Sequence, residues 1–136
     1  MRYICDREED TARLAAQIAA ERPKLVALIG DLAMGKTFWT RAFAKALGIR
    51  EPIVSPTFSL VREYATPLNF HHWDLYRVED AQELFYVGFD EYLERADVTV
   101  IEWPECVLED LEDPLILRFY FEDGHRIIEV SDDFCA

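Results

Sequence analysis

The residues Gly30-Asp31-Leu32-Ala33-Met34-Gly35-Lys36-Thr37 match the phosphate-loop pattern G-x-x-x-x-G-K-[ST] at every fixed position. Gly30 and Gly35 let the backbone approach an anion, and the amides of the loop and of the following helix start converge on one concavity that favours negative charge. Lys36 would set a point charge against β- and γ-phosphates, and the Thr37 hydroxyl would take a Mg²⁺ position. Two acids extend the candidate site. Glu102 closes the short run Val98-Thr99-Val100-Ile101, and Asp74 closes the run 69–74. An acid at the end of a hydrophobic strand is where phosphate-loop folds hold their metal. A ligand-free turn from strand to helix would explain the glycines, but it has no use for Lys-Thr after the second one.

These residues need elements to hold them. Leu25-Val26-Ala27-Leu28-Ile29 is apolar without a break, which suits a strand covered on both faces in a parallel sheet. From Lys36 onward the chain reads as a helix, with Phe38, Trp39, Ala42, Phe43, Ala46 and Leu47 set among Arg41 and Lys45, and Gly48 as its stop. Upstream, Asp6 offers an N-cap with Glu9 three residues on, and Ala12, Leu14, Ala15, Ile18 and Ala19 recur at helical spacing before Pro23. Thr11 lies in that helix's first turns, on a face that periodicity does not assign. Pro52 and Pro56 stiffen a loop carrying Ser55 and Thr57. Residues 59–64 and 69–74 read as a hairpin, 80–86 as a short helix broken by Gly88, and 90–93 as another turn. A second hairpin, 115–121 with His125–Val130, turns at Asp123-Gly124. The expected architecture is an α/β P-loop fold in a single domain, 1–136. It has a mixed central sheet with parallel core strands and antiparallel edge hairpins, and helices on both faces.

At 136 residues, with 51% apolar and 13% aromatic content, the chain can bury one core, and no stretch is long and apolar enough to span a bilayer. Acidic residues follow Met1 too soon for a signal peptide, so the cytoplasm is expected. Cys5, Cys106 and Cys135 are odd in number without C-x-x-C spacing, so free thiols are expected rather than a disulfide framework or a zinc site. The 27 acidic against 14 basic side chains give a net charge of −13. That field repels a phosphate backbone, so any nucleic-acid role should run through a protein partner. The same acidity also serves solubility.

In order and spacing, several segments resemble the signature of the TsaE family, small bacterial ATPases needed for the threonylcarbamoyladenosine (t6A) modification of tRNA. They are the phosphate loop, Val54-Ser55-Pro56-Thr57-Phe58, Glu63-Tyr64, His72-Trp73-Asp74-Leu75-Tyr76-Arg77, Gly88 and Ile101-Glu102-Trp103-Pro104-Glu105. The resemblance implies ATP and Mg²⁺ as ligands, weak intrinsic ATP hydrolysis, and assembly with the TsaD and TsaB proteins, tRNA being met only through that complex. It implies that Asp31, Leu32, Ala33, Met34, Gly35, Lys36 and Thr37 cradle the phosphates and that Thr37 and Glu102 hold the metal. Thr11, Glu105 and Arg126 are implied near the nucleotide, Ser55 and Thr57 in a switch loop, and Asp74 as an essential acid beside Lys36 and Glu102. The chain departs from the family pattern where Ala33-Met34 replaces the usual Gly-Ala. If that position demands positive φ, alanine strains the loop by roughly 1 kcal/mol or more. Phe38-Trp39 also stands where a small hydroxyl residue is usual after Lys-Thr.

Asp74 could orient the attacking water or the metal's hydration shell, or serve only as a structural hydrogen-bond partner of the switch loop. Thr57 could sense the γ-phosphate, as ordered switch segments do. His72 could act in catalysis, although a core histidine bonded to backbone is the commoner arrangement. Trp73 and Trp103 read as packing. No arginine finger is evident: Arg62 and Arg77 are the candidates, but a lone arginine is more often a surface cation, so slow hydrolysis is expected without a partner's group. Two other functions share these residues. One is a nucleotide-dependent binding module with negligible hydrolysis; the other is a small-molecule kinase, which would want a basic lid that residues 78–93 do not supply.

Overall fold

Two helical stripes and one unbroken apolar strand set the layers of the fold. The computed structural model describes residues 1–31, 33–54, 56 and 60–131. Helices α1 (Glu8–Ala20) and α2 (Lys36–Ala46) flank strand β2 (Leu25–Ile29) in the chain. α1 buries Thr11, Leu14, Ala15, Ile18 and Ala19, and α2 buries Lys36, Trp39, Thr40, Phe43 and Ala44. Both sets recur every three to four residues, as one face of a helix must. The stripe of α2 therefore includes Lys36 at its head, while Ala46 is exposed and Phe38 only half-buried. Periodicity alone predicts a broader apolar face.

The remaining strands are β1 (Arg2–Ile4), β3 (Val61–Tyr64), β4 (Phe70–Asp74), β5 (Val98–Glu102), β6 (Leu115–Glu122) and β7 (His125–Val130). They join β2 in one sheet ordered β1-β7-β6-β2-β5-β4-β3. Its centre, β6-β2-β5-β4, is parallel, while β3 pairs antiparallel with β4, β7 with β6, and β1 with β7. Successive side chains of each strand point to opposite faces. Val26, Leu28, Val98, Val100 and Leu117 pack under α1 and α2 with Ile18, Trp39 and Phe43. On the other face Leu25, Trp73 and Ile101 meet Leu84 and Phe89 from α3 (Gln82–Tyr86) and α4 (Phe89–Arg95). The mixed sheet with helices on both faces is as the sequence implied. No helix among the described residues is long and apolar enough to cross a membrane.

Three local expectations are corrected. β1 was not foreseen, because three residues show no alternation and their partner lies at the far end of the chain. The turn expected at 90–93 is a seven-residue helix opened by Gly88 at φ 82°. Asp6 does not cap α1. Arg7 takes that place, with its N–H donated to the Asp10 carboxylate at 3.1 Å, while Asp6 accepts from the Arg126 N–H at 2.9 Å and pairs with His125 Nδ1 at 2.7 Å. Those two partners at the head of β7 outcompete the helix start for Asp6.

Gly30 has a role the motif did not suggest. A Cβ there would lie 2.9 Å from both the Cβ and the carbonyl oxygen of Phe119 on β6, so the loop can leave β2 only without a side chain. Gly30→Ala should therefore lose about 1–3 kcal/mol of stability, the range of an overpacked core. Urea unfolding checks this, and a change below about 0.5 kcal/mol would contradict it.

Candidate functional site

The parallel register gathers the site at the carboxyl ends of the central strands. Leu28 of β2 lies beside Glu102 of β5, and Asp74 of β4 lies beside Glu102 on the other side. Loop 30–35 leaves β2 at that edge and returns at once as α2. Alternation along β5 and β4 turns Glu102, His72 and Asp74 toward the face that carries α2. The last residue of each strand thus meets the first residue of the helix.

Lys36 is only 5% exposed. Its ammonium donates to the Gly30 carbonyl at 2.5 Å and stands 3.6 Å from the centre of the Trp103 ring, a cation–π contact. Burial pushes the lysine below its ordinary pKa, and the charges of Glu102, Glu105, Asp74 and Asp31 pull it back up. All four are acids near the expected nucleotide, so the structure collects them around one cation. Trp103 is held at φ 57°, a costly region for a bulky side chain, and its ring packs on Tyr76 with centroids 4.9 Å apart. The strained backbone aims the indole at Lys36, a contact beyond the packing role read from sequence.

Among the described residues of the loop, Ala33 at φ 63° and Gly35 at φ 95° are left-handed. Ala33 thus does adopt positive φ at the position where the family pattern carries glycine. Arg126 reaches the same loop: a Cβ on Gly35 would meet its guanidinium at 3.6 Å. Its Nε is buried with no hydrogen-bond partner among the described residues. Asp6 fixes the backbone of Arg126, and that N–H, followed by the bond to His125, holds the Asp6 carboxyl below the usual carboxylate range. Asp6 is a positioning residue that sequence reading assigned elsewhere.

Glu102 is oriented from behind. Its Oε2 lies 2.6 Å from His72 Nε2, and both side chains are buried. His72 is a core histidine, but its partner is this carboxylate and not a backbone group. Only the period-two alternation of β4 and β5, read together with their register, could have shown it. Asp74 accepts the Tyr76 N–H at 3.0 Å, and its own N–H donates to the Leu60 carbonyl at 3.0 Å. Thr37, the second residue of α2, is half-buried, Met34 is buried, Asp31 and Ala33 are exposed, and Glu105 is exposed on a 3-10 turn, Pro104–Cys106. Thr11 faces the core beside the Cys5 thiol. Arg62 and Arg77 are exposed. Leu32, Ser55, Thr57 and Cys135 lie outside the described residues.

A buried ammonium, a loop leading into the amino end of an 11-residue helix, and a guanidinium whose buried Nε has no partner among the described residues suit an anion of several charges. A hydroxyl and a carboxylate, Thr37 and Glu102, are the hard oxygens that Mg²⁺ accepts while keeping water and phosphate ligands.

The chain is similar over most of its length to proteins of one family. The family model for "Threonylcarbamoyl adenosine biosynthesis protein TsaE" matches residues 5–128. A protein of that name from Treponema pallidum is 37% identical over 136 residues, covering 96% of this chain and 100% of its own. One from Rickettsia bellii is 36% identical over 138 residues, covering 96% and 94%. The crystal structure of YdiB from Bacillus subtilis superposes with a TM-score of 0.74 at 29% identity, over 96% of this chain and 83% of that one.

Two outcomes follow from the strain and the buried pair. Ala33→Gly should raise the unfolding free energy by about 0.5–1 kcal/mol, since relief of a left-handed alanine outweighs the added chain entropy of glycine; a loss of stability in denaturant titration would contradict it. His72→Leu should cost about 1–3 kcal/mol by stranding the Glu102 carboxylate, whereas the further change Glu102→Leu should recover part of that loss. Strict additivity of the two in the same titration would show that the pair is not coupled.

Proposed function

The chain belongs to the TsaE family of threonylcarbamoyl adenosine biosynthesis proteins, and from that premise we propose that it is the P-loop ATPase subunit of t6A synthesis, binding and slowly hydrolysing Mg-ATP to drive the cycle of a TsaB–TsaD complex. The observation that carries the reading is Lys36: a buried cation at the head of α2 with Glu102 and Asp74 at the neighbouring strand ends.

The residues divide the work by chemistry. The amides from Asp31 to Thr37, the amino end of α2 and Arg126 bind the nucleotide, and Lys36 neutralises charge that grows on the leaving phosphate. Thr37 and Glu102 would hold Mg²⁺, which when bound supplies charge neutralisation across the phosphate oxygens. His72 keeps the Glu102 carboxylate aimed at that position. Asp74, at the end of β4, orients the attacking water, and Ser55 and Thr57 carry the nucleotide state to the partner as a switch. Because Arg62 and Arg77 are exposed, fast turnover waits on a group supplied by the partner. A net charge of −13 leaves tRNA to be met through the complex, in the cytoplasm.

In a reconstituted assay with TsaB, TsaC, TsaD, tRNA and ATP, omission of this chain should abolish multiple-turnover t6A formation, and Lys36→Ala should lower it by at least about tenfold. Asp74→Asn should keep ATP binding and lose about a hundredfold or more in hydrolysis. Undiminished t6A formation with Lys36→Ala would refute the assignment.

A further inference from the structure

The chain is strongly acidic, yet three of its cations gather well along α2 from the phosphate loop. Arg41 and Lys45 stand one turn apart on the exposed side of α2, and Arg50 follows the helix; with the single acid Glu51 they rim a groove of about 730 Å³. Pro52, Ile53 and Val54 form its wall, and Val54 leaves 45% of its surface open to the groove and solvent. That wall is braced. Arg41 Nε donates to the Ile53 carbonyl at 3.1 Å, and the Val54 N–H donates to the Tyr64 hydroxyl at 3.2 Å. The groove is thus a formed feature with an apolar strip between cations.

We propose that this groove is the docking site for a short acidic segment of a protein partner. Carboxylates of that segment face Arg41, Lys45 and Arg50, and one apolar side chain between them rests on Pro52 and Val54. The chemistry selects a peptide over a nucleic acid. An RNA backbone repeats its charge along its whole length and would meet the −13 surface beyond three cations, and the apolar strip offers its phosphates nothing. A short segment feels the local field within a Debye length of about 10 Å. Such an occupant would touch α2, which begins at Lys36, and the wall whose last residue, Val54, directly precedes Ser55. Only the partner's identity rests on the function proposed above.

The test uses the full chain carrying Lys45→Glu and Arg50→Glu, with Arg41 kept because it braces Ile53. Binding to the purified TsaB–TsaD pair is titrated calorimetrically with Mg²⁺ and a non-hydrolysable ATP analogue at two salt concentrations. ATP affinity, melting temperature and tRNA binding by the assembled complex are measured alongside. Wild type should bind the pair with affinity that falls as salt rises. The variant should bind at least about tenfold more weakly, with ATP affinity within about twofold and unchanged melting. Val54→Asp should weaken binding to a similar extent, and Lys45→Gln with Arg50→Gln gives the same readout should charge reversal disturb folding. Equal binding of wild type and variants overturns the groove while leaving the proposed function intact. Loss of tRNA contact with unchanged binding to the pair overturns it in favour of nucleic acid. A wild type that does not bind the pair removes both readings.

Discussion

A largely buried cation is the constraint on which this structure turns. The Lys36 ammonium sits inside the protein with the Gly30 carbonyl beneath it and the Trp103 ring against it. A buried charge is expensive unless the surroundings answer it. Here the answer is distributed: a carbonyl, an indole face, and the field of Glu102, Glu105, Asp74 and Asp31. Burial still wins over those acids, since the lysine's pKa is lowered on balance. Such a site gains from any ligand that brings negative charge in multiples.

The fold accepts this cost because its geometry leaves little choice. Lys36 heads the stripe that continues as Trp39 and Phe43, so the same rotation of α2 that buries those rings also buries the lysine. The rings stack at 4.7 Å and are fully buried, which makes turning the helix away far more costly than desolvating one ammonium. On the sheet side, β4 and β5 end in register, so Asp74 and Glu102 cannot be separated without slipping a strand and turning every side chain on it to the other face. The strain at Trp103 and Ala33 lies beside the lysine, where the surrounding packing holds it.

The phosphate loop, the strand ahead of it, the helix behind it and the two hairpins were legible because each has a local signal: an unbroken apolar run, a fixed motif, a period, a turn dipeptide. The layer assignment follows from which faces are apolar, whereas the order of the strands depends on pairings between distant segments that no local signal carries. What stayed hidden depends on groups distant in the chain. Asp6 is of a type that caps helices and is claimed by His125 and Arg126 on β7, the strand beside β1. His72 finds Glu102 through the register of two strands. β1 exists because β7 offers it an edge. The face of Thr11 became definite only with the core around it.

The direct measurement is a crystal structure of the chain with Mg²⁺ and a non-hydrolysable ATP analogue. The account requires the triphosphate against the amides of residues 33–37, with Lys36 drawn from the Gly30 carbonyl onto phosphate oxygen and the metal between Thr37 and Glu102. A nucleotide lodged away from that loop, or a metal held there while Glu102 stays turned wholly to His72, would contradict it.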